Sequence, residues 1–142
     1  SKLWMGSSKS KNTDKTILPY IPHFDKSRYL KAMVYLHDVT IEHGPIYLGK
    51  VNKNINIEER RIKLPSDYAD KSLNCIQNQE IDGTLIPMLG NAGDIIFFDT
   101  NTPHKGGIIK NEYFRKVLRF DFERPSFNPK KNIFQRLKKF IS

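Results

Sequence analysis

Two histidines and one aspartate in this chain have the types and the spacing of a metal site. His23 and Asp25 stand two positions apart, and His104 follows much later in the run Thr102-Pro103-His104-Lys105-Gly106-Gly107. Side chains two positions apart on an extended segment project to the same side, so they can share one ion. An octahedral Fe(II) held on one face by two imidazoles and a carboxylate keeps its other positions open for a chelating cosubstrate and O2. The three residues therefore predict an open metal centre.

The elements that must position these residues are short strands. Apolar segments punctuated by turn residues, without long helices between them, are typical of a sandwich or barrel. His104 follows one such strand and a turn, which places it at a strand mouth. An edge strand or extended approach leads into His23, and the strand that follows Asp25 has apolar residues at both parities, which predicts cover on both faces. The predicted strands are 17–21, 28–39, 46–51, 84–88, 93–99 and 113–123.

The predicted core is all-β and occupies residues 16–124. Residues 52–83 are polar and are predicted to be an insertion with a charged cluster, Glu58-Glu59-Arg60-Arg61, and a short helix over 66–76 capped by Ser66. Residues 1–15 are predicted to be a mobile N-terminal segment or a first strand. Residues 125–142 are predicted to form a basic amphipathic helix on the barrel or on a partner, because apolar residues recur there at helical spacing.

Composition and length narrow the class of protein. A chain of 142 residues fits one domain with a single core. The sequence has no apolar run long enough to cross a bilayer and no apolar core of a signal peptide, so a cytoplasmic protein without a membrane span is predicted. The single cysteine, Cys75, agrees with a reducing compartment and is interpreted as a small buried residue.

The net charge of +9 lies in the two tails. Residues 1–16 carry a net +3 and residues 124–142 carry +6, whereas residues 17–123 are neutral. Such a distribution is more typical of a solvated surface than of a specific nucleic-acid interface. A basic nucleic-acid-binding domain stays an alternative, and it predicts salt-dependent binding that is lost when residues 124–142 are deleted.

Several motifs in their joint order resemble the phytanoyl-CoA hydroxylase (phytanoyl-CoA dioxygenase) family of Fe(II)/2-oxoglutarate oxygenases. His23-Phe24-Asp25 is similar to the family's H-x-D, and residues 36–45 to its L-x-D-V-T-x-x-x-G-P. Residues 93–99 match G-D-x-x-x-F-D, and Pro103-His104-Lys105-Gly106-Gly107 is similar to the distal histidine followed by a small residue. The resemblance covers residues 16–123. The chain departs from the family in its few residues before His23 and in lacking G-S-H after the fourth strand.

The resemblance implies a double-stranded β-helix, also called a jelly-roll or cupin-like fold, in which His23, Asp25 and His104 bind Fe(II) and act as the catalytic centre. It also implies that an arginine eleven residues after the distal histidine binds 2-oxoglutarate, and Arg115 stands there. The distal carboxylate of that cosubstrate is costly to bury unless it is paired, and a guanidinium can pair it through two hydrogen bonds. Arg119 is the alternative anchor, since it projects to the same face of the strand.

The implied reaction is hydroxylation of a C–H bond of a small molecule by O2, with 2-oxoglutarate converted to succinate and CO2. Ascorbate is a candidate accessory reductant. Asp25 favours hydroxylation, because related halogenases carry a small residue at that position. Two alternatives remain: a catalytically inactive jelly-roll that serves as an interaction module, and a cupin-like enzyme that uses another divalent metal without 2-oxoglutarate. The sequence leaves the substrate and the oligomeric state open.

Overall fold

The structure, a computed structural model, describes residues 2–9, 18–63 and 74–122. Within these ranges the chain is mostly β-strand with little helix, which confirms the predicted all-β core. The elements in chain order are β1 Lys2–Lys9, β2 Leu30–Tyr35, β3 Ile46–Val51, α1 Ile57–Ile62, β4 Ile81–Pro87, β5 Ile95–Asp99, β6 His104–Gly106 and β7 Phe114–Phe122. Short 3-10 helices lie at Ile41–His43 and Asn78–Glu80.

The strands form two antiparallel sheets. One sheet has four strands in the order β1-β7-β2-β5, and the other has three in the order β4-β3-β6. A buried cluster of Met33 from β2, Ile46 from β3 and Phe98 from β5 fills the space between the sheets. Because strand side chains alternate, the other residues of the same parity on β2 also face this space, and Lys31 is one of them.

The outward side of the four-stranded sheet is also apolar. On β2, Ala32 is buried on this side, but Leu30 is 45% exposed. Phe97, which lies opposite Ala32 on β5, is 58% exposed. The prediction that both faces of this strand are covered is therefore wrong at Leu30. The apolar residues at both parities reflect one core face and one face that stays partly open.

The insertion contains a helix ahead of the predicted one. Residues 64–73 lie outside the described residues, and the end of the predicted 66–76 helix is not α-helical, since Cys75 forms an isolated β-bridge with His23. Among the described residues the insertion contains the α-helix α1, Ile57–Ile62. Its N-cap Asn56 accepts hydrogen bonds from the amides of Glu58 and Glu59. Acidic residues in the first turn and arginines in the last turn complement the helix dipole, so the charged cluster was itself the helix signal.

The N-terminal predictions can be compared with the structure, whereas the C-terminal one cannot. At the N-terminus the structure has a strand, β1, paired along its length with β7. The predicted edge strand over 17–21 is wrong for 18–21, which form turns and bends. The predicted helix over 125–142 lies outside the described residues. His104 was expected at a strand mouth after a turn, and it begins a short strand, β6, that pairs with β3.

Within the described residues, no helix is long and apolar enough to span a bilayer. Cytoplasmic location stays a prediction.

Candidate metal centre

The segment His23–Asp25 is held between two other parts of the chain. The amide of His23 donates to the carbonyl of His104 at 3.0 Å, and the amide of His104 donates back at 2.9 Å. Phe24 points away from this contact, is fully buried, and packs with Ile57 and Ile76. Because side chains alternate on an extended segment, burying Phe24 on one side directs His23 and Asp25 to the other.

The three predicted ligands meet at one point. Nε2 of His104 lies 3.3 Å from Oδ1 of Asp25, and Nε2 of His23 lies 3.8 Å from the same oxygen. All three ligand atoms lie within 4.8 Å of one another. With metal–ligand bonds of about 2.1 Å, two ligands at a right angle lie about 3 Å apart. The observed spacing therefore fits one ion after small movements of the side chains.

Both imidazoles are oriented by main-chain carbonyls. Nδ1 of His23 donates to the carbonyl of Ile21 at 2.9 Å, and Nδ1 of His104 donates to the carbonyl of Thr102 at 2.8 Å. A carbonyl only accepts, so Nδ1 carries the proton, and a neutral imidazole then has its lone pair on Nε2. With Nδ1 held in this way, each imidazole has Nε2 to offer to a metal beside the carboxylate of Asp25, and outer hydrogen bonds of this kind orient metal ligands.

The second oxygen of Asp25 is held by two groups that the sequence did not single out for this role. Oδ2 accepts hydrogen bonds from the hydroxyl of Tyr29 and from Nζ of Lys31, each at 2.7 Å. Lys31 is buried on the inner face of β2, and its ammonium lies 5.5 Å from the ring centroid of Phe98. With Oδ2 fixed in this way, Oδ1 is the oxygen presented to the two histidines.

The protonation states suit metal binding. Burial, with the nearby His104, lowers the pKa of His23 to about 4, so this imidazole is neutral at pH 7. Burial alone would raise the pKa of Asp25, but the close contact with His104 and the charge of Lys31 outweigh burial and hold that pKa well below its ordinary range. Burial and the hydrogen bond to Asp25 raise the pKa of Tyr29, which stays a donor.

The two predicted anchor arginines differ in their partners. Both line the same cavity as the metal ligands. Nη2 of Arg119 donates to Oδ2 of the buried Asp121 at 2.8 Å. Nη1 of Arg115 is buried and has no hydrogen-bond partner among the described residues, and burial lowers the pKa of this guanidinium. A buried guanidinium nitrogen without a partner fits an incoming carboxylate.

Two cavities meet at the cluster. The first, about 240 Å³, contains the three ligands together with Met33, Arg115 and Gly106. The second, about 340 Å³, is lined by Lys26, Ser27 and Tyr29 and shares Asp25, Lys31 and Arg119 with the first. The carboxylate ligand is therefore reached from two sides, and only the first cavity contains Arg115.

Comparison with known proteins assigns the family. The phytanoyl-CoA dioxygenase (PhyH) family profile matches residues 10–117. The chain belongs to this family. Among solved structures, EvdMO1 is similar at 14% identity with a TM-score of 0.46, and the match covers 89% of this chain. This chain spans 28% of the length of EvdMO1. A search of curated proteins finds no match.

The members of the phytanoyl-CoA dioxygenase family are oxygenases. The matched range includes His23, Asp25, His104 and Arg115 but ends before Arg119. The structure brings together all five residues predicted from the sequence around one cavity. Tyr29 and Lys31 complete the surroundings of Asp25, and the signal that could have revealed Lys31 is a charged residue within an otherwise apolar strand.

Proposed function

We propose that the protein is an Fe(II)- and 2-oxoglutarate-dependent dioxygenase with a double-stranded β-helix fold, which hydroxylates a C–H bond of a small molecule. The observation that carries the proposal is the convergence of Nε2 of His23, Oδ1 of Asp25 and Nε2 of His104 beside Arg115, whose Nη1 is buried. Two imidazoles and one carboxylate with room around them are the ligand set of non-haem Fe(II) oxygenases. The two antiparallel sheets with the ligands between them support the fold.

Each residue of the site has a stated task in this proposal. The three ligand atoms hold the metal, and the carbonyls of Ile21 and Thr102 keep the imidazoles in the binding tautomer. Lys31 and Tyr29 fix the outer oxygen of Asp25. Bound Fe(II) with 2-oxoglutarate supplies the activation of O2, which yields succinate, CO2 and a hydroxylated substrate.

Arg115 is the proposed anchor for 2-oxoglutarate. Its unpartnered Nη1 lies in the cavity that also holds the ligands, whereas Arg119 already neutralises Asp121. A dicarboxylate entering this cavity can bring one carboxylate to the metal and the other to Arg115. The second cavity, which opens beside Asp25 away from Arg115, is the proposed approach for the substrate and O2.

The proposal is tested by measuring succinate and O2 consumption with Fe(II), 2-oxoglutarate and ascorbate. Slow turnover without substrate is expected for the wild-type protein, and Asp25→Ala abolishes it because the metal loses its only carboxylate. The matched control is Asp82→Ala, which removes an exposed aspartate from β4. Full succinate production by Asp25→Ala contradicts the assignment. Activity that depends on another divalent metal and needs no 2-oxoglutarate favours the cupin-like alternative.

A further inference from the structure

Helix α1 packs on the back of the segment that bears two of the proposed ligands. The ring of Phe24, which points away from the metal centre, is fully buried beside Ile57 of this helix. The guanidinium carbons of Arg60 and Arg61 lie 5.6 and 5.4 Å from the centroid of the same ring, within the range of cation–π contacts. Helix α1 of the insertion thus packs on the ligand-bearing segment from the side opposite the metal centre.

Arg61 connects this helix to the main chain of the carboxylate ligand. Its Nε and Nη2 donate to the carbonyl oxygen of Asp25 at 3.3 and 3.2 Å. Its Nη1 donates to Oε2 of Glu58 at 2.6 Å, and that oxygen also accepts from Nδ2 of Asn101 at 3.1 Å. Asn101 lies three positions before His104. One guanidinium therefore joins the two segments that carry the ligands.

The contacts of Arg61 complete the restraint of Asp25. The amide of Asp25 donates to the carbonyl of Thr100 at 3.1 Å, and its side-chain Oδ2 is held by Tyr29 and Lys31. The main-chain carbonyl of Asp25 accepts hydrogen bonds from Arg61, whose side chain is only 10% exposed. With its amide, its carbonyl and Oδ2 held by hydrogen bonds, Asp25 keeps Oδ1 in one position.

We propose that Arg61 is a positioning residue of the metal centre, which fixes the carboxylate ligand through its main chain and holds it in register with the His104 segment. This inference rests on the proposed function, since it concerns the same metal. In this proposal the insertion holds the main chain of the carboxylate ligand in place. Arg60 provides the contrast: it stacks on the same ring but donates to Glu80 and to the carbonyl of Cys75.

The test compares Co(II) binding by the wild-type protein, Arg61→Met and Arg60→Met. Groups that orient a ligand change metal affinity by about 10-fold or more when they are removed. We expect Arg61→Met to weaken Co(II) binding by about that factor and to change the visible spectrum of the bound Co(II). Arg60→Met should keep the spectrum and the affinity of the wild-type protein, because its hydrogen bonds end on Glu80 and Cys75 and contact neither Asp25 nor the His104 segment.

Two further variants keep the test decisive. Arg61→Lys preserves the charge but loses the two parallel hydrogen bonds of the guanidinium to Asp25. Glu58→Gln weakens the ion pair with Arg61 and the link to Asn101 but keeps the contacts of Arg61 with Asp25. Both variants should therefore show intermediate affinity. Wild-type affinity and spectrum in Arg61→Lys and Arg61→Met would overturn the inference, as would an equal loss in Arg60→Met. Absence of Co(II) binding in the wild-type protein would instead overturn the proposed function. In that case hydrogen exchange at residues 23–25 of the metal-free variants still tests whether Arg61 restrains this segment. Faster exchange is expected only in the Arg61 variants.

Discussion

At the scale of single residues, the sequence was most informative about the ligands. His23, Asp25 and His104 could be predicted because a metal centre restricts both the residue types and their parity on an extended segment. Lys31 could not be assigned in the same way. It lies in a strand with apolar residues at both parities, so the sequence did not show which parity faces the site. The pairing of Lys31 with Phe98 of β5 and with Asp121 of β7 places it on the inner face.

Arg115 and Arg119 are separated by a paired experiment on 2-oxoglutarate binding to the metal-loaded protein. Losing the partner of a buried carboxylate costs roughly 2–5 kcal/mol, which is about 30-fold or more in Kd. We expect Arg115→Met to weaken 2-oxoglutarate binding by at least that factor. Arg119→Met should instead lower stability, because it leaves the buried Asp121 without this partner, and should change 2-oxoglutarate binding little. Calorimetric titration of both variants measures the difference, and the reverse pattern would assign the anchor to Arg119.

At the scale of elements, strand positions followed from the sequence better than helix positions did. β3, β5 and β7 lie within one or two residues of their predicted bounds or inside them. Helix α1 was missed because six residues give too little apolar periodicity, although its cap and charge order were visible. β6 was missed because a strand of three residues that follows a proline and ends in a glycine gives no strand pattern. Its pairing with β3 also depends on contacts distant in sequence.

The position of β6 depends on a close approach between two motifs. The amide of Gly107 donates to the carbonyl of Pro45 at 2.8 Å, and a Cβ on Gly107 would lie 2.5 Å from that oxygen. Gly44 packs beside them with φ of 63°, a conformation that glycine adopts without strain. The Gly-Pro turn before β3 and the glycines after His104 are therefore two sides of one contact.

Replacing these glycines tests that contact. We expect Gly107→Ala to lower the free energy of unfolding by roughly 1–3 kcal/mol, because the backbone of Pro45 must move away from the added methyl group. Gly106→Ala is the matched control, since its nearest contact would be the carbonyl of Pro19 at an ordinary 3.6 Å. Urea unfolding of the two proteins gives the comparison. Equal stability of both variants would mean that the approach does not position β6.

At the scale of the whole molecule, the family match and the His-Asp-His cluster fall on the same part of the chain. The profile spans residues 10–117, and the four residues of the proposed iron and 2-oxoglutarate sites lie within it. The arrangement needs both sheets: β7 of the four-stranded sheet carries Arg115, and β6 of the three-stranded sheet carries His104. Topology of this kind could be predicted only through the family resemblance, since spacing along the chain does not say which strands are neighbours.

The central claim is that one metal ion and one 2-oxoglutarate bind together in the cavity between the sheets. Crystals grown without O2 in the presence of Mn(II) and 2-oxoglutarate test it directly through anomalous scattering and electron density. The account predicts one metal peak among Nε2 of His23, Oδ1 of Asp25 and Nε2 of His104, with the distal carboxylate of 2-oxoglutarate on Arg115. A metal peak elsewhere, or 2-oxoglutarate bound away from this cavity, would contradict the account.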